Sequence, residues 1–145
     1  VAEFLAPGPL ERLFNRVFGL LVGLGLGLGH NYLVETKGRR TGRSHATPIN
    51  VLEMEGRRLL VAPRGRTQWV RNAEVVGEVT LRRGRRRQRF RLRALPDAEK
   101  PPILREYLDR YRPTVQRYFP VPAGSPPSAF AGVASRYPVF ELKES

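Results

Sequence analysis

Two hydrophobic periods alternate along this chain and divide it into a helical start, a strand-rich middle and a second helical stretch before a last strand. After Gly8 and Pro9, Leu10, Leu13, Phe14, Val17, Phe18 and Leu21 recur every three or four residues, which predicts an amphipathic helix. Glycine at 23, 25, 27 and 29 breaks the apolar run that follows, so 1–29 reads as an N-terminal helix and a glycine-rich connector. The run from Val17 to Gly29 is too short to cross a bilayer, and it lacks the ordered charge and cleavage site of a signal peptide. Packing on the domain is its expected role, with weak contact to a membrane surface as the alternative.

From residue 30 to 95 the period falls to two. Strands are predicted at 32–37, 47–54, 58–62, 78–82 and 88–95. Glu55-Gly56 and Gly84 supply hairpin turns, and a loop at 63–68 leads into a short helix at 69–76. In the last of these strands Phe90, Leu92 and Ala94 alternate with Arg89, Arg91 and Arg93, the pattern of a sheet wet on one face. Asp97 is expected to cap a second helix with the apolar face Ile103, Leu104, Tyr107, Leu108 and Tyr111, closed by Pro113. The proline- and serine-rich stretch 120–128 is expected to be a mobile loop, and 137–142 a final strand. One domain over 1–145 follows, with the barrel core at 30–95, a helix and loop at 96–136 and the closing strand in 137–145. The class is mainly β with peripheral helices (α+β), a small barrel of five or six antiparallel strands, not a parallel α/β fold.

Composition narrows the chemistry more than the fold. The 145 residues contain no cysteine, two histidines (His30 and His45) and two aspartates (Asp97 and Asp109). That excludes disulfides and thiolate nucleophiles, and it leaves a metal site or a Ser-His-Asp triad short of ligands. The net charge is +13, and 23 of the 26 basic residues are arginine, the residue suited to bidentate contact with phosphate or carboxylate. Nucleic acid, anionic lipid and an anionic cofactor all fit such a surface.

Four constellations could carry function. The turn Gly38-Arg39-Arg40-Thr41-Gly42-Arg43 offers backbone N–H groups, a hydroxyl and guanidinium groups within six residues, as an anion site needs. A hairpin rich in arginine for solubility is the competing account. His45, just beyond, either pairs with an anion or faces solvent. Thr47-Pro48 places a proline inside a strand, where it belongs at an edge or beside a ligand. The second group is 62–72, in which Trp69 and Asn72 share one side of a short helix, while Arg64 and Arg66 could face an anion from an opposite wall. Trp69 as core and Asn72 as a local cap are the plain readings. The third is the hairpin 82–93, with eight arginines in twelve residues. It lacks interleaved exposed aromatics, so a solvated basic face is favoured over specific nucleic-acid binding. The fourth is the set of tyrosines around the second helix. Tyr107 and Tyr111 fit its buried face, and Tyr118 is free to line a pocket.

Taken in order, LVETKGRRTGRSHATPINV, LLVAPRGRTQWVRNAEVVGEVTL and RYPVFELKE resemble the deazaflavin-dependent nitroreductase family of split β-barrel oxidoreductases, over most of the chain. The resemblance implies an FMN-binding-like split barrel and a flavin-like cofactor, most often coenzyme F-420, whose phosphate and glutamate tail lie on the basic turn. It assigns Arg39, Arg40 and Thr41 to anion contacts, with Arg43 and His45 close by. Thr47, Pro48 and Ile49 would lie along the deazaflavin ring. Ala62, Pro63, Arg64 and Gly65 would form another wall, completed by Trp69 and Asn72. His45 stands where relatives often carry arginine, which makes that contact weaker or pH-dependent. Tyr118, Phe119, Phe130 and Tyr137 are the candidates for the substrate pocket, with Tyr118 the candidate proton donor. The expected activity is hydride transfer from reduced F-420 to a small-molecule acceptor: a quinone, an activated alkene or a nitro compound. FMN on the same fold and a carrier without turnover are the alternatives. A cytoplasmic homodimer, at most peripheral to a membrane and with no metal, completes the expectation.

Overall fold

The computed structural model describes residues 31–144; the first helix and glycine-rich connector, and the membrane-surface reading with them, lie outside the described residues. Six strands, β1 (Asn31–Lys37), β2 (Ser44–Met54), β3 (Arg57–Val61), β4 (Glu78–Arg83), β5 (Arg86–Ala94) and β6 (Val139–Glu144), close into a barrel in the order β1-β2-β3-β6-β5-β4. Every pairing is antiparallel. The β2–β3 turn is tight because both Glu55 (φ 54°) and Gly56 (φ 73°) are left-handed, the requirement of a two-residue hairpin loop that matches strand twist.

The period-two pattern sorts side chains to two cores. Val34, Ile49, Val51, Leu60, Val79, Leu81, Phe90, Phe140 and Leu142 face inward, and helix α1 (Gln68–Val76) adds Trp69, Val70 and Ala73 to that interior. The Trp69 ring meets Phe140 edge-on, with centroids 6.0 Å apart. Gly77 ends α1 in the left-handed region (φ 79°) and donates its N–H to the Ala73 carbonyl at 2.7 Å. The second core lies outside the sheet, where Leu52, Leu59, Val61 and Val139 meet helix α2 (Pro101–Val115) through Ile103, Leu104, Tyr107, Leu108 and Tyr111. Across β3, β6 and β5, Glu141 binds Arg57 (3.1 Å), Arg93 (3.1 Å) and Lys143 (3.3 Å), tying the seam where the barrel closes.

Several local expectations change. Asp97 does not cap α2: it starts a 3-10 turn over Asp97–Glu99, and Lys100 holds the N-cap. Two prolines in the first turn have no N–H to satisfy, so no side-chain cap is required there. Asp97 instead accepts a hydrogen bond from buried Lys100 Nζ at 2.8 Å. The helix reaches Val115 past a break at Tyr111 (φ −114°, ψ 24°), the consequence of Pro113. The 120–128 segment is held: Gln116 grips Val121 O and Ala123 N (each 2.9 Å), and Asp109 Oδ1 accepts from Gly124 N (2.8 Å). A 3-10 run, Pro127–Arg136, follows it, and β6 begins two residues later than Tyr137. Ala94 is exposed, and Leu95 takes the buried place after β5.

Candidate cofactor site

The basic turn folds back on its own glycines. Gly38 N–H donates to Arg43 O (2.7 Å), Gly42 N–H to Gly38 O (2.9 Å), and Arg43 N–H to Thr41 Oγ1 (3.2 Å). Gly42 is left-handed (φ 73°). Gly38 is closely approached: a Cβ there would lie 3.0 Å from Thr41 Oγ1 and 3.1 Å from His45 Nε2, so those side chains would have to shift by a few tenths of an ångström. The turn therefore carries a small polar cradle lined by a hydroxyl and an imidazole. Arg40, Thr41, Arg43 and His45 are exposed around it.

Arg39 takes a different part. Its backbone N–H reaches Asn72 Oδ1 at 3.1 Å, and its Nη1 donates to Asn72 Oδ1 (2.9 Å) and Gln68 Oε1 (2.8 Å). Asn72 is buried at 3% exposure, so one amide oxygen on α1 pins the turn to the barrel. Asn72 is then a strut beneath the basic turn, and Trp69, 8% exposed, is chiefly a core ring. Gln68 and Thr67 were missed by the sequence reading, although both flank Trp69 in the stretch it singled out. Thr67 occupies the N-cap of α1, yet its Oγ1 is buried with no partner. Thr36 Oγ1, across the β1–β2 ladder from His45, is likewise buried and unpaired. Buried hydroxyls without partners cost stability and mark places where a polar ligand or water is accepted.

The barrel ladder opens beside this turn. β2 pairs with β1 from Ser44 to Asn50, but with β3 only from Val51 to Met54. Among the described residues the second edge of β2 over 44–50 has no strand partner. Pro48 sits in that stretch, where its missing N–H breaks no ladder bond. Had pairing continued in register past Val51 and Leu60, Ile49 would stand opposite Ala62 and Pro48 opposite Pro63. Instead the chain follows β6, with Ala62 N–H on Pro138 O (2.9 Å), and turns at left-handed Gly65 (φ 81°) into the loop before α1. Thr47, Pro48 and Ile49 thus belong to one lip of a split, and Ala62, Pro63, Arg64 and Gly65 to the strand end and loop that diverge from it.

The aromatic candidates lie elsewhere. Phe119, Phe130 and Tyr137 are buried in the core beneath α2, with Phe119 stacked on Tyr137 at 4.4 Å and edge-on to Phe130 at 6.2 Å. Tyr137 OH donates to Tyr118 O at 2.6 Å. Tyr118 alone of the four is half-exposed, with Arg117 over its ring at 4.8 Å. Tyr107 Oη is fully enclosed, and burial pushes its pKa far above the ordinary tyrosine value, against a partial lowering by its hydrogen bond to Asn50. The outward arginines of β4 and β5 are largely paired: Arg82 and Arg87 with Glu35 (3.5 and 3.4 Å), Arg89 with Glu78 (2.9 Å), and Arg93 with Glu99 (3.0 Å) and Glu141. Among the described residues no cluster of His, Cys, Asp or Glu could hold a metal, and no helix is long and apolar enough to cross a membrane.

This geometry, a closed antiparallel six-stranded barrel with helices packed against it, is a split barrel. Solved structures agree on the fold. An F420-H2 dependent reductase, FDR-A, superposes with a TM-score of 0.53 at 19% identity, covering 79% of this chain and 95% of that one. A structure described as a domain-swapped dimer matches at 0.56 and 19% identity, over 92% and 93% of the two chains. The heme storage protein HutZ from Vibrio cholerae matches at 0.56 with 10% identity, over 80% and 82%. Relatives with such different ligands show that fold alone does not choose the cofactor. The sequence does: residues 12–120 match the family model of the F420H(2)-dependent quinone reductase. The chain belongs to that family and is an F-420-dependent oxidoreductase of the split-barrel class. No curated protein matches the sequence.

Proposed function

We propose that this protein holds reduced F-420 along the split between β2 and the 62–67 loop, with its acidic tail on the basic turn, and reduces a quinone. The observation that supports it is the coincidence of three features along β2 and the turn that leads into it. These are the unpaired edge of β2 over 44–50, the Gly38 cradle with Thr41 Oγ1 and His45 Nε2, and the Arg39–Asn72 strut that fixes the turn beside them. The donor set fits the cofactor. Arg40 and Arg43 keep their guanidinium groups exposed for phosphate and carboxylate, and Thr67 Oγ1 waits unpaired at the start of α1. Trp69, Arg64 and the Ala62–Gly65 backbone complete the enclosure from below and opposite.

When bound, reduced F-420 supplies the hydride, which with one proton turns a quinone into its quinol. The chain's own residues bind and orient. Among the described residues no buried acid or base is placed on the split, so solvent supplies the proton; the Tyr118 hydroxyl, half-exposed beside the α2 core, lies apart from it. The quinone is preferred to an alkene or nitro acceptor because the matching family is defined by quinone reduction. A homodimer is part of the same proposal, supported by a fold relative described as a dimer.

The test is a fluorescence titration with F-420 and FMN, followed by steady-state oxidation of the reduced deazaflavin with menadione. F-420 is expected to bind with micromolar or tighter affinity, about −8 kcal/mol or stronger, and menadione to be reduced. Tight FMN binding without F-420 binding overturns the cofactor placement. Binding without turnover on a panel of quinones, alkenes and nitro compounds makes the protein a carrier.

A further inference from the structure

The end of the barrel away from the basic turn holds a second concave, cationic space, bordered by Tyr32, the ladder partner of Ile49. Arg58, Arg83, Arg85, Arg86 and Arg87 surround a cavity of about 990 Å³ at the β4–β5 turn. The hollow is half open to solvent, wide enough at its mouth to admit an organic anion. Its floor is the inward face of the barrel, with Tyr32 and Phe90. Arg58 lies over both rings, 5.7 Å from the Tyr32 centroid and 5.2 Å from that of Phe90, and Arg83 also covers Tyr32 at 5.8 Å. These stacking contacts fix the guanidinium planes at the cavity floor.

Three facts separate this mouth from a merely solvated basic turn. The arginines converge on one cavity, so their mutual repulsion is a cost that a bound anion removes. Arg58 Nε is buried without a hydrogen-bond partner, its only carboxylate neighbour among the described residues being Glu53 at 3.9 Å. Arg85 and Arg86, unlike the paired Arg82, Arg87, Arg89 and Arg93 around them, form no ion pair among the described residues. β1 joins the two ends: Tyr32 is at this mouth and Lys37 precedes the basic turn. At about 3.3 Å per residue this mouth stands roughly 15–20 Å from the basic turn, while Ile49 of the split lies directly across the ladder from Tyr32.

We propose that this mouth is a second binding site, taking a small organic anion with two or more negative charges and an apolar body. The arginines hold the charge and the Tyr32–Leu81–Phe90 floor takes the body. The test is isothermal titration of the full chain with inorganic pyrophosphate at 50 mM NaCl, then with 1-naphthyl phosphate against inorganic phosphate. Pyrophosphate is expected to bind one site. Arg85→Ala with Arg86→Ala is expected to weaken it at least tenfold at unchanged F-420 affinity and unchanged circular dichroism. Arg40→Ala with Arg43→Ala is expected to leave that step in place. Naphthyl phosphate is expected to bind several-fold more tightly than phosphate. Absence of binding, or a loss caused by the 40/43 pair and not by the 85/86 pair, overturns the proposal. So does binding of duplex DNA or phosphatidylglycerol vesicles through Arg85 and Arg86 with no pyrophosphate step. Because the probe is pyrophosphate, failure here leaves the F-420 reading standing, and failure of F-420 to bind leaves this one standing.

Discussion

The two arginine-rich turns, 38–43 and 83–88, look alike in sequence and are opposite in construction. The first is rigid by hydrogen bonding: Gly38 and Gly42 close it, and Asn72 and Gln68 on α1 take Arg39 out of solution to anchor it. Its remaining cations stand exposed beside an unpaired strand edge. The second is a hairpin closed by the Arg83–Arg86 ladder pair, with Arg83 and β3 Arg58 over Tyr32 beneath it, and its cations gather over a hollow. Counting arginines does not tell them apart. What each guanidinium touches does, since a cation already bound to a carboxylate or amide is part of the scaffold and one without a partner is available to a ligand.

The comparison can be broken by substitutions at each element. The largest effect is expected at Trp69→Ala, which empties the interior where α1 meets the barrel. About 3–5 kcal/mol of stability should go, read by urea unfolding. A variant that unfolds normally but loses only cofactor affinity would move Trp69 from core to cofactor wall. Next comes Arg39→Ala with Arg40→Ala, expected to reduce F-420 affinity by about 1.5–3 kcal/mol. Unchanged affinity would remove the basic turn from the site.

Asn72→Ala separates strut from contact. Loss of the bonds to Arg39 should cost about 1–2 kcal/mol of stability and weaken F-420 as well, because the turn loses its position. If stability holds and only affinity falls, Asn72 touches the cofactor directly. The smallest effect concerns acid. Burial raises the Glu141 pKa, but its hydrogen bonds to Arg57, Arg93 and Lys143 outweigh this and hold it below the usual glutamate value. A carboxylate with a depressed folded pKa stabilises the fold above its unfolded pKa, and the gain is lost as pH falls through the folded value. Stability of the wild type should therefore drop below about pH 4.5 more steeply than that of Glu141→Gln. Parallel acid limbs would show that the seam of three cations contributes nothing measurable.

Much of the barrel was legible in order along the chain. The alternation of Phe90 and Leu92 with arginines, the Glu55-Gly56 turn and the break at Thr47-Pro48 are local signals, and local signals survive folding. The turn at 38–43 was legible too, because glycine at both ends and arginine between them already state its conformation and charge. The resemblance then supplied what local reading could not, the family and its cofactor. What stayed hidden was partnership across distance. Asn72 lies 33 residues from Arg39, and nothing near either residue in sequence announces their bond. Phe119, Phe130 and Tyr137 had the composition of a pocket lining, yet α2 and the 3-10 run fold over them and make them core. Arg58 read as one strand arginine among many until the barrel closed it over Tyr32 and Phe90.

Read alone, the chain specifies the strand periods, the sharp turns, its lack of cysteine and the family to which it belongs. Each of these depends on residues within a few positions of one another or on composition. Tertiary structure alone decided which arginines are anchored and which are available, where the β2 edge is left unpaired, and that a second cationic cavity exists. Those are consequences of barrel closure, which brings together residues whose proximity no local energy encodes, and closure is driven by burial of the whole interior, not by any one segment.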